Sequence, residues 1–207
     1  MTIIHLLDDD VAVTDACAFL LESLGYPVTC WEEGAVFLAQ ADLYQTGVLL
    51  LDMRMPVMDG KHVHAVLRQR ESTLAVVFLT GHGDVPMAVE QMKQGAVDFL
   101  QKPVSARPLQ TALERALVVS EQAVARQQII TCYRALTAKE RELAGFVVNG
   151  LMNREIAQMM NIAVRTVEVH RARVMEKMQA ANLAALVNKW QQLKETHIVE
   201  QYRELFI

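Results

Sequence analysis

The chain has 207 residues, 52% of them hydrophobic and 21% charged, a composition that suits two soluble globular domains with buried cores. No apolar run approaches the roughly 20 residues needed to span a bilayer, and the opening Met1-Thr2-Ile3-Ile4-His5 lacks the basic region of a signal peptide, so a cytoplasmic location is expected. The net charge of −4 hides a split: residues 1–120 hold 8 Lys/Arg against 15 Asp/Glu, or −7, and residues 121–207 hold 12 against 9, or +3, which points to two different partners.

Through the first half, short apolar strands alternate with helix-period stretches. Strands are expected at Ile3–Leu7, Pro27–Cys30, Val48–Leu51, Ala75–Leu79 and Val97–Leu100, with helices near 11–24, 33–41, 59–70 and 85–94 and another starting at Ser105. That is a βα unit taken five times, the pattern of a parallel sheet covered on both faces. From Ser105 there is no Gly until Gly145 and no Pro after Pro108. Leu109, Leu113, Ala116, Ser120, Ala123, Gln127 and Ile130 step by fours and threes, which fits a helical linker over 121–136. The seam is half polar, and an ordinary helix followed by a hinge fits equally.

After Leu136 the texture turns to consecutive helices. Thr137 and Glu140 have capping-box spacing, and Asn149-Gly150 is a helix stop. Asn153 is placed to cap a short helix to Met160. Asn161-Ile162-Ala163 turns into a helix from Val164 to about Met178, and a final helix over Leu183–Lys189 precedes a polar tail at 190–207. Cys17, Cys30 and Cys132 form no CxxC and are expected as buried small hydrophobes. Met159, Met160, Met175 and Met178 are expected to fill a core.

The stretch GVLLLDMRMPVMDG (residues 47–60) raises the question of chemistry, because Asp52 ends a strand that should be buried. In an open α/β sheet of order 2-1-3-4-5, ligands bind beyond the carboxyl ends of the strands at the reversal between strands one and three. Strand one ends in Asp8-Asp9-Asp10 and strand three in Asp52. Clustered carboxylates repel unless a cation neutralises them, and an open all-oxygen site suits Mg²⁺. Strand four ends in Thr80, and Lys102-Pro103 follows strand five. Carboxylates, metal, hydroxyl and lysine together suit phosphoryl transfer to Asp52. Each residue alone has a plainer role. Asp8–Asp10 can cap a helix, Thr80 can end a strand, Lys102 can be a solvated charge and Pro103 a strand stop, although a cis Lys102–Pro103 bond would aim the lysine inward. His82 and Asp84 are taken as loop residues, since no Ser or Cys nucleophile accompanies them.

HLLDDD, LLLDMRMPVMDG and VVFLTGHGDVPMAVEQMKQGAVDFLQKPV together resemble a bacterial response-regulator receiver over residues 3–118, in its FixJ-type subfamily. The resemblance implies a five-stranded flavodoxin-like receiver domain at 1–120 with Asp52 as phospho-acceptor. It also implies Asp8 and Asp9 as an acidic pocket, and Mg²⁺ on Asp9, Asp52 and the backbone carbonyl of Arg54. Thr80 and Phe99 would be the switch pair and Lys102 the phosphoryl-contacting lysine, while Asp10 has no assigned role.

In the basic second half, two helices joined by a tight turn suggest helix-turn-helix DNA binding. On a helical wheel Val167, Val174 and Met178 face inward, and Arg165, Glu168, Val169, Ala172 and Arg173 face outward. Such a face suits a major groove, with Arg on guanine, Glu on cytosine N4 and Val on a thymine methyl. Thr166 and His170 lie on a flank suited to phosphate. An amphipathic helix with a merely solvated face shows the same pattern. Residues 136–178, with NREIA and RTVEVHRARVMEKM, resemble the LuxR/FixJ-type four-helix DNA-binding domain, placed at 137–189.

The two resemblances imply a phosphorylation-activated transcription regulator rather than a metabolic enzyme, with a sensor histidine kinase, promoter DNA and RNA polymerase as partners. Homodimerisation would follow phosphorylation, through Val89 and Lys93, where related regulators pair. Taken end to end, both halves most resemble the branch that controls tetrathionate respiration; a regulator of the same family with another signal is the nearest alternative. A Mg²⁺-dependent aspartyl-phosphate phosphatase is a further one, disfavoured because such enzymes place an Asp where Arg54 stands. A phosphoryl-accepting interaction module that has lost DNA binding is another.

Overall fold

The computed structural model describes residues 2–81 and 85–195. His82, Asp84 and the segment beyond Glu195 lie outside the described residues. The chain divides into two compact units, Met1–Val124 and Ala125–Ile207.

The first unit is a parallel sheet of β1 (Ile3–Leu7), β2 (Val28–Trp31), β3 (Gly47–Asp52), β4 (Ala75–Thr80) and β5 (Asp98–Gln101), in the order β2-β1-β3-β4-β5. Every residue of β3 and β4 is buried, as central strands covered on both faces require. The helices are α1 (Val11–Ser23), α2 (Gly34–Gln40), α3 (Gly60–Gln69), α4 (Val85–Lys93) and α5 (Ala106–Arg134). Alternating strand residues feed two cores. Ile4, Leu6, Val48, Leu50, Val77 and Leu79 pack with Cys17 and Leu21 of α1 and Leu109, Leu113 and Ala116 of α5. Leu7, Leu49, Leu51, Val76 and Phe78 pack with Phe37 of α2, Val63 and Leu67 of α3 and Ala88 of α4.

Two strands start one residue later than their apolar runs suggest. The pairs Leu7↔Trp31 and Thr80↔Gln101 carry the β2 and β5 ladders one residue further toward the carboxyl edge of the sheet. The polar seam of α5 also has a definite use. Ser120 is fully buried; its hydroxyl accepts from Gly47 N at 2.9 Å and donates to the Thr73 carbonyl at 2.7 Å, anchoring α5 at the amino ends of β3 and β4. Only Cys17 is a buried cysteine: Cys132 is half-buried, and Cys30 is exposed because β2 is an edge strand.

The second unit comprises the end of α5 with α6 (Ala138–Val148), α7 (Asn153–Met159), α8 (Val164–Lys177) and α9 (Leu183–Glu195). Ile129, Ile130 and Tyr133 meet Leu143, Val147, Ile156, Val167, Val174, Leu186, Trp190 and Leu193 in one core. Thr137 and Glu140 form the capping box of α6. Helix α9 runs past Lys189 to Glu195, so residues 190–195 are no polar tail: Trp190 packs edge-on against Tyr133 at 5.4 Å and Leu193 is buried. Asn153 does not cap α7 either. Met152 is the cap residue, its N–H donating to Glu155 Oε2 at 2.6 Å, and Asn153 Oδ1 instead accepts from Arg171 of α8 at 3.1 Å.

Candidate functional site

The sheet order puts the ends of β1 and β3 side by side. Asp8 and Asp52 are both buried there, while Asp9 is exposed, and one carboxylate oxygen from each lies within 4.8 Å of the others. From the far side, after β5, Lys102 Nζ reaches Asp8 Oδ2 and Asp52 Oδ1, each at 2.6 Å. The Lys102–Pro103 peptide is cis. One ammonium thus bridges two buried carboxylates from strands adjacent in space and distant in sequence.

Backbone donors fix the carboxylates further. Arg54 N donates to Asp52 Oδ2 at 2.8 Å, and Asp10 N to Asp8 Oδ1 at 3.1 Å. Asp10, given no role by the family resemblance, takes the plainer capping role open to Asp8–Asp10: it is the N-cap of α1, accepting from Ala12 N at 2.9 Å and Val13 N at 3.4 Å. Thr14, which the sequence did not single out, donates its hydroxyl to the Asp10 carbonyl at 3.0 Å. Burial pushes the Asp52 carboxyl above its ordinary range, against the opposing hydrogen bond from Lys102. For Lys102 burial works against the charge, but the hydrogen bonds to Asp52 and Asp8 prevail and hold the ammonium above its ordinary value.

The loop after β3 returns at once to the site. Gly60 opens α3 with its N–H on the Met53 carbonyl at 3.2 Å, and a Cβ there would overlap the Asp52 carbonyl oxygen. Only glycine permits that approach. Thr80 ends β4 and is buried, its hydroxyl donating to the Leu100 carbonyl at 3.3 Å. Phe99, half-buried, packs against the core that contains Phe78 and Ala88. On α4, Val89 and Lys93 are exposed, whereas Gln91 is buried and its Oε1 meets Nδ1 of buried His64 at 2.8 Å. The cluster is an acidic, all-oxygen donor set with a neutralising ammonium, suited to a hard divalent cation and a phosphoryl group.

In the second unit, Asn161 takes φ 52° in the turn before α8, and Ile162 N closes on the Ala157 carbonyl at 3.0 Å. Val167, Val174 and Met178 are fully buried. Arg165, Thr166, Glu168, Val169, Ala172 and Arg173 are exposed, and His170 is half-buried with its Nδ1 enclosed. The side chains expected to meet DNA therefore share a solvent-facing surface of one helix.

Two family models match the chain: the response regulator receiver domain over residues 4–114, and the bacterial regulatory proteins of the luxR family over residues 134–189. The tetrathionate response regulatory protein TtrR of Salmonella typhimurium is 72% identical over 204 residues, covering 98% of this chain and 99% of that protein. The transcriptional regulatory protein FixJ of Azorhizobium caulinodans is 42% identical, covering 89% of each chain. Among solved structures, the response regulator StyR aligns with a TM-score of 0.69 at 36% identity, covering 92% of this chain and 98% of that one. Full-length FixJ from B. japonicum aligns at 0.54 and 37%, covering 93% and 97%. A receiver implies a sensor kinase as partner, and a LuxR-type domain implies promoter DNA. The chain belongs to the two-component response regulators, in the branch that joins a receiver to a LuxR-type DNA-binding domain.

Proposed function

We propose that this regulator is switched by phosphorylation of Asp52 and then activates transcription as a dimer. The observation that carries the proposal is the Lys102 ammonium held between Asp8 and Asp52 at 2.6 Å. A phosphohistidine on the sensor kinase is the donor. Asp52 Oδ attacks phosphorus, the O–P bond forms as the P–N bond breaks, and the imidazole leaves. Lys102 favours the charged form of Asp52 against the effect of burial and then faces the new phosphoryl oxygens. Asp9, Asp52 and the backbone carbonyl of Arg54, with Asp8 beside them, would hold Mg²⁺, which when bound supplies positive charge opposite those oxygens. The three carboxylates fit such an ion because their oxygens converge within 4.8 Å.

The Thr80 hydroxyl turns from the Leu100 carbonyl toward the phosphoryl group, and Phe99 moves inward behind it. The surface of α4 and β5 changes, and two copies pair through Val89 and Lys93. Two recognition helices then stand about one DNA turn, roughly 34–36 Å, apart. On each, Arg165, Glu168, Val169 and Arg173 meet base edges, Thr166 and His170 meet phosphates, and the bound dimer recruits RNA polymerase. The 72% identity to a tetrathionate response regulator supports tetrathionate as the signal and tetrathionate reductase genes as the target.

Labelling tests the core of the proposal. With Mg²⁺ and a small phosphodonor, the wild type should gain one base-labile phosphoryl group and sediment as a dimer. Asp52→Asn should do neither. Full labelling of the Asn variant, or a dimer that forms equally without donor, would sink it.

A further inference from the structure

Helix α8 buries only Val167 and Val174 completely, with Met178 buried at its C-cap, and apolar contact by itself is non-directional. Its position is fixed by polar contacts, one from each neighbouring helix. Arg171 Nη1 donates to Asn153 Oδ1 of α7 at 3.1 Å. Lys189 Nζ, from α9, donates to the carbonyls of Met178 and Gln179 just past the end of α8, at 2.8 and 3.0 Å. Lys177 Nζ, in the last turn of α8, donates to Glu140 Oε2 at 2.7 Å.

The last contact differs from the others. Glu140 is 2% exposed, and the same Oε2 accepts from Thr137 N at 2.8 Å, so the carboxylate is locked to the first turn of α6. The pair is buried on one side only, Glu140 being enclosed and the Lys177 side chain 35% exposed, so it is a weak source of stability. The doubly bonded carboxylate makes its geometry exacting. Glu140 is enclosed away from the solvent-facing surface formed by Arg165, Glu168, Val169, Ala172 and Arg173, and Lys177, at the edge of that surface, is turned to Glu140.

We propose that the Glu140–Lys177 ion pair is a specificity-determining positioning contact: it sets the axial position of α8, and so governs discrimination between base pairs rather than general affinity for DNA. Base-edge hydrogen bonds tolerate displacements of only a few tenths of an ångström. Attraction to phosphates falls off over about 8–10 Å and is nearly indifferent to such a shift. The proposal rests on α8 being the helix that reads DNA.

The test compares binding of the full-length phosphorylated protein to two duplexes. One is a genomic fragment selected by the wild type, and the other is a scrambled duplex of equal length. Glu140→Gln keeps an acceptor for Thr137 N–H, and Lys177→Met keeps the length of the stem. The two changes alter net charge in opposite directions, so a purely electrostatic effect on DNA would move affinity in opposite senses. Positioning predicts the same sense for both: a fall of about tenfold in the ratio of selected to scrambled affinity, of the size of one mismatched base pair. The double variant should lose no more than either single one, since both break the same contact. Lys177→Arg should restore the ratio. Should Lys177→Met fail to fold, Glu140→Gln with its thermal midpoint decides alone. Unchanged ratios in a folded Glu140→Gln protein, or additive losses in the double variant, overturn the proposal. A wild type with no preference between the duplexes would overturn the DNA-reading role of α8 instead.

Discussion

Asp52 and Lys102 meet at 2.6 Å although β4 and β5, with the helices between, separate them in sequence. The ammonium neutralises the site only in part, since Asp8, Asp9 and Asp52 bring three carboxylates to it. A divalent cation should therefore stabilise the native receiver by mass action, by about 2.7 kcal/mol at a hundred times its Kd. Mg²⁺ should raise the thermal midpoint of the wild type and leave Asp9→Ala almost unmoved. Lys102→Met, with two buried carboxylates left facing each other, should depend on Mg²⁺ more strongly than the wild type. A wild-type midpoint indifferent to Mg²⁺ counts against the metal set.

Gly60→Ala should destabilise the receiver by about 1–3 kcal/mol, the usual cost of overpacking. The added methyl meets the Asp52 carbonyl and the Phe78 ring, both held by the sheet. Urea unfolding measures it, and the same variant should accept phosphoryl groups more slowly because Asp52 is displaced. A stability equal to that of wild type would show that the loop can yield.

The receiver should lose stability as pH falls below neutrality. Burial lowers the pKa of His5 and of His64 from 6.5. The unfolded chain then takes up these protons first. The stability is complete above the unfolded value and is lost as pH falls toward the folded one, at up to about 1.4 kcal/mol per pH unit for each histidine. His5→Leu removes one of them. His5 accepts from Trp31 Nε1 at 3.1 Å, and Trp31 is only half-buried, so water can replace that partner. Denaturant midpoints between pH 7 and 5.5 should show a shallower decline in this variant; an identical decline would exclude His5 as a contributor.

On DNA, Glu168→Ala or Val169→Ala should relax sequence preference with little change in the dependence on salt. Thr166→Ala or His170→Ala should weaken binding to all sequences alike, because phosphate contacts carry affinity and base contacts discriminate. Salt titrations on selected and scrambled duplexes separate the two groups. Identical behaviour would mean that α8 sits differently in the groove.

The strands and the carboxylate–ammonium cluster were legible in the sequence for one reason: each rests on a local pattern whose spatial consequence the sheet order dictates. A run such as Val48–Leu51 reads as buried, and the ends of β1 and β3 must then be neighbours. What escaped depends on partners distant in the chain. Glu140 announces its capping box through Thr137, but nothing local announces Lys177. Asn153 has the residue type of a cap and is drawn away by Arg171. Trp190 and Leu193 look like the start of a polar tail until Tyr133, for Trp190, and the shared core supply their packing. Ser120 weakens an apolar seam on paper, yet its hydroxyl satisfies Gly47 N and the Thr73 carbonyl inside the fold.

The spread of the cluster along the chain also bears on how the protein comes to be made. Asp8 follows the first strand of the sheet and Lys102 follows the last, so no chain that stops short of Lys102 contains the full charge arrangement. Until Lys102 arrives, Asp8 and Asp52 face each other unscreened, and closing β1 on β3 brings like charges together. Docking of β5 removes that repulsion, which couples the last strand to the first across the whole sheet. The neutralised site is therefore a property of the completed sheet, because its ammonium comes from the segment that follows β5.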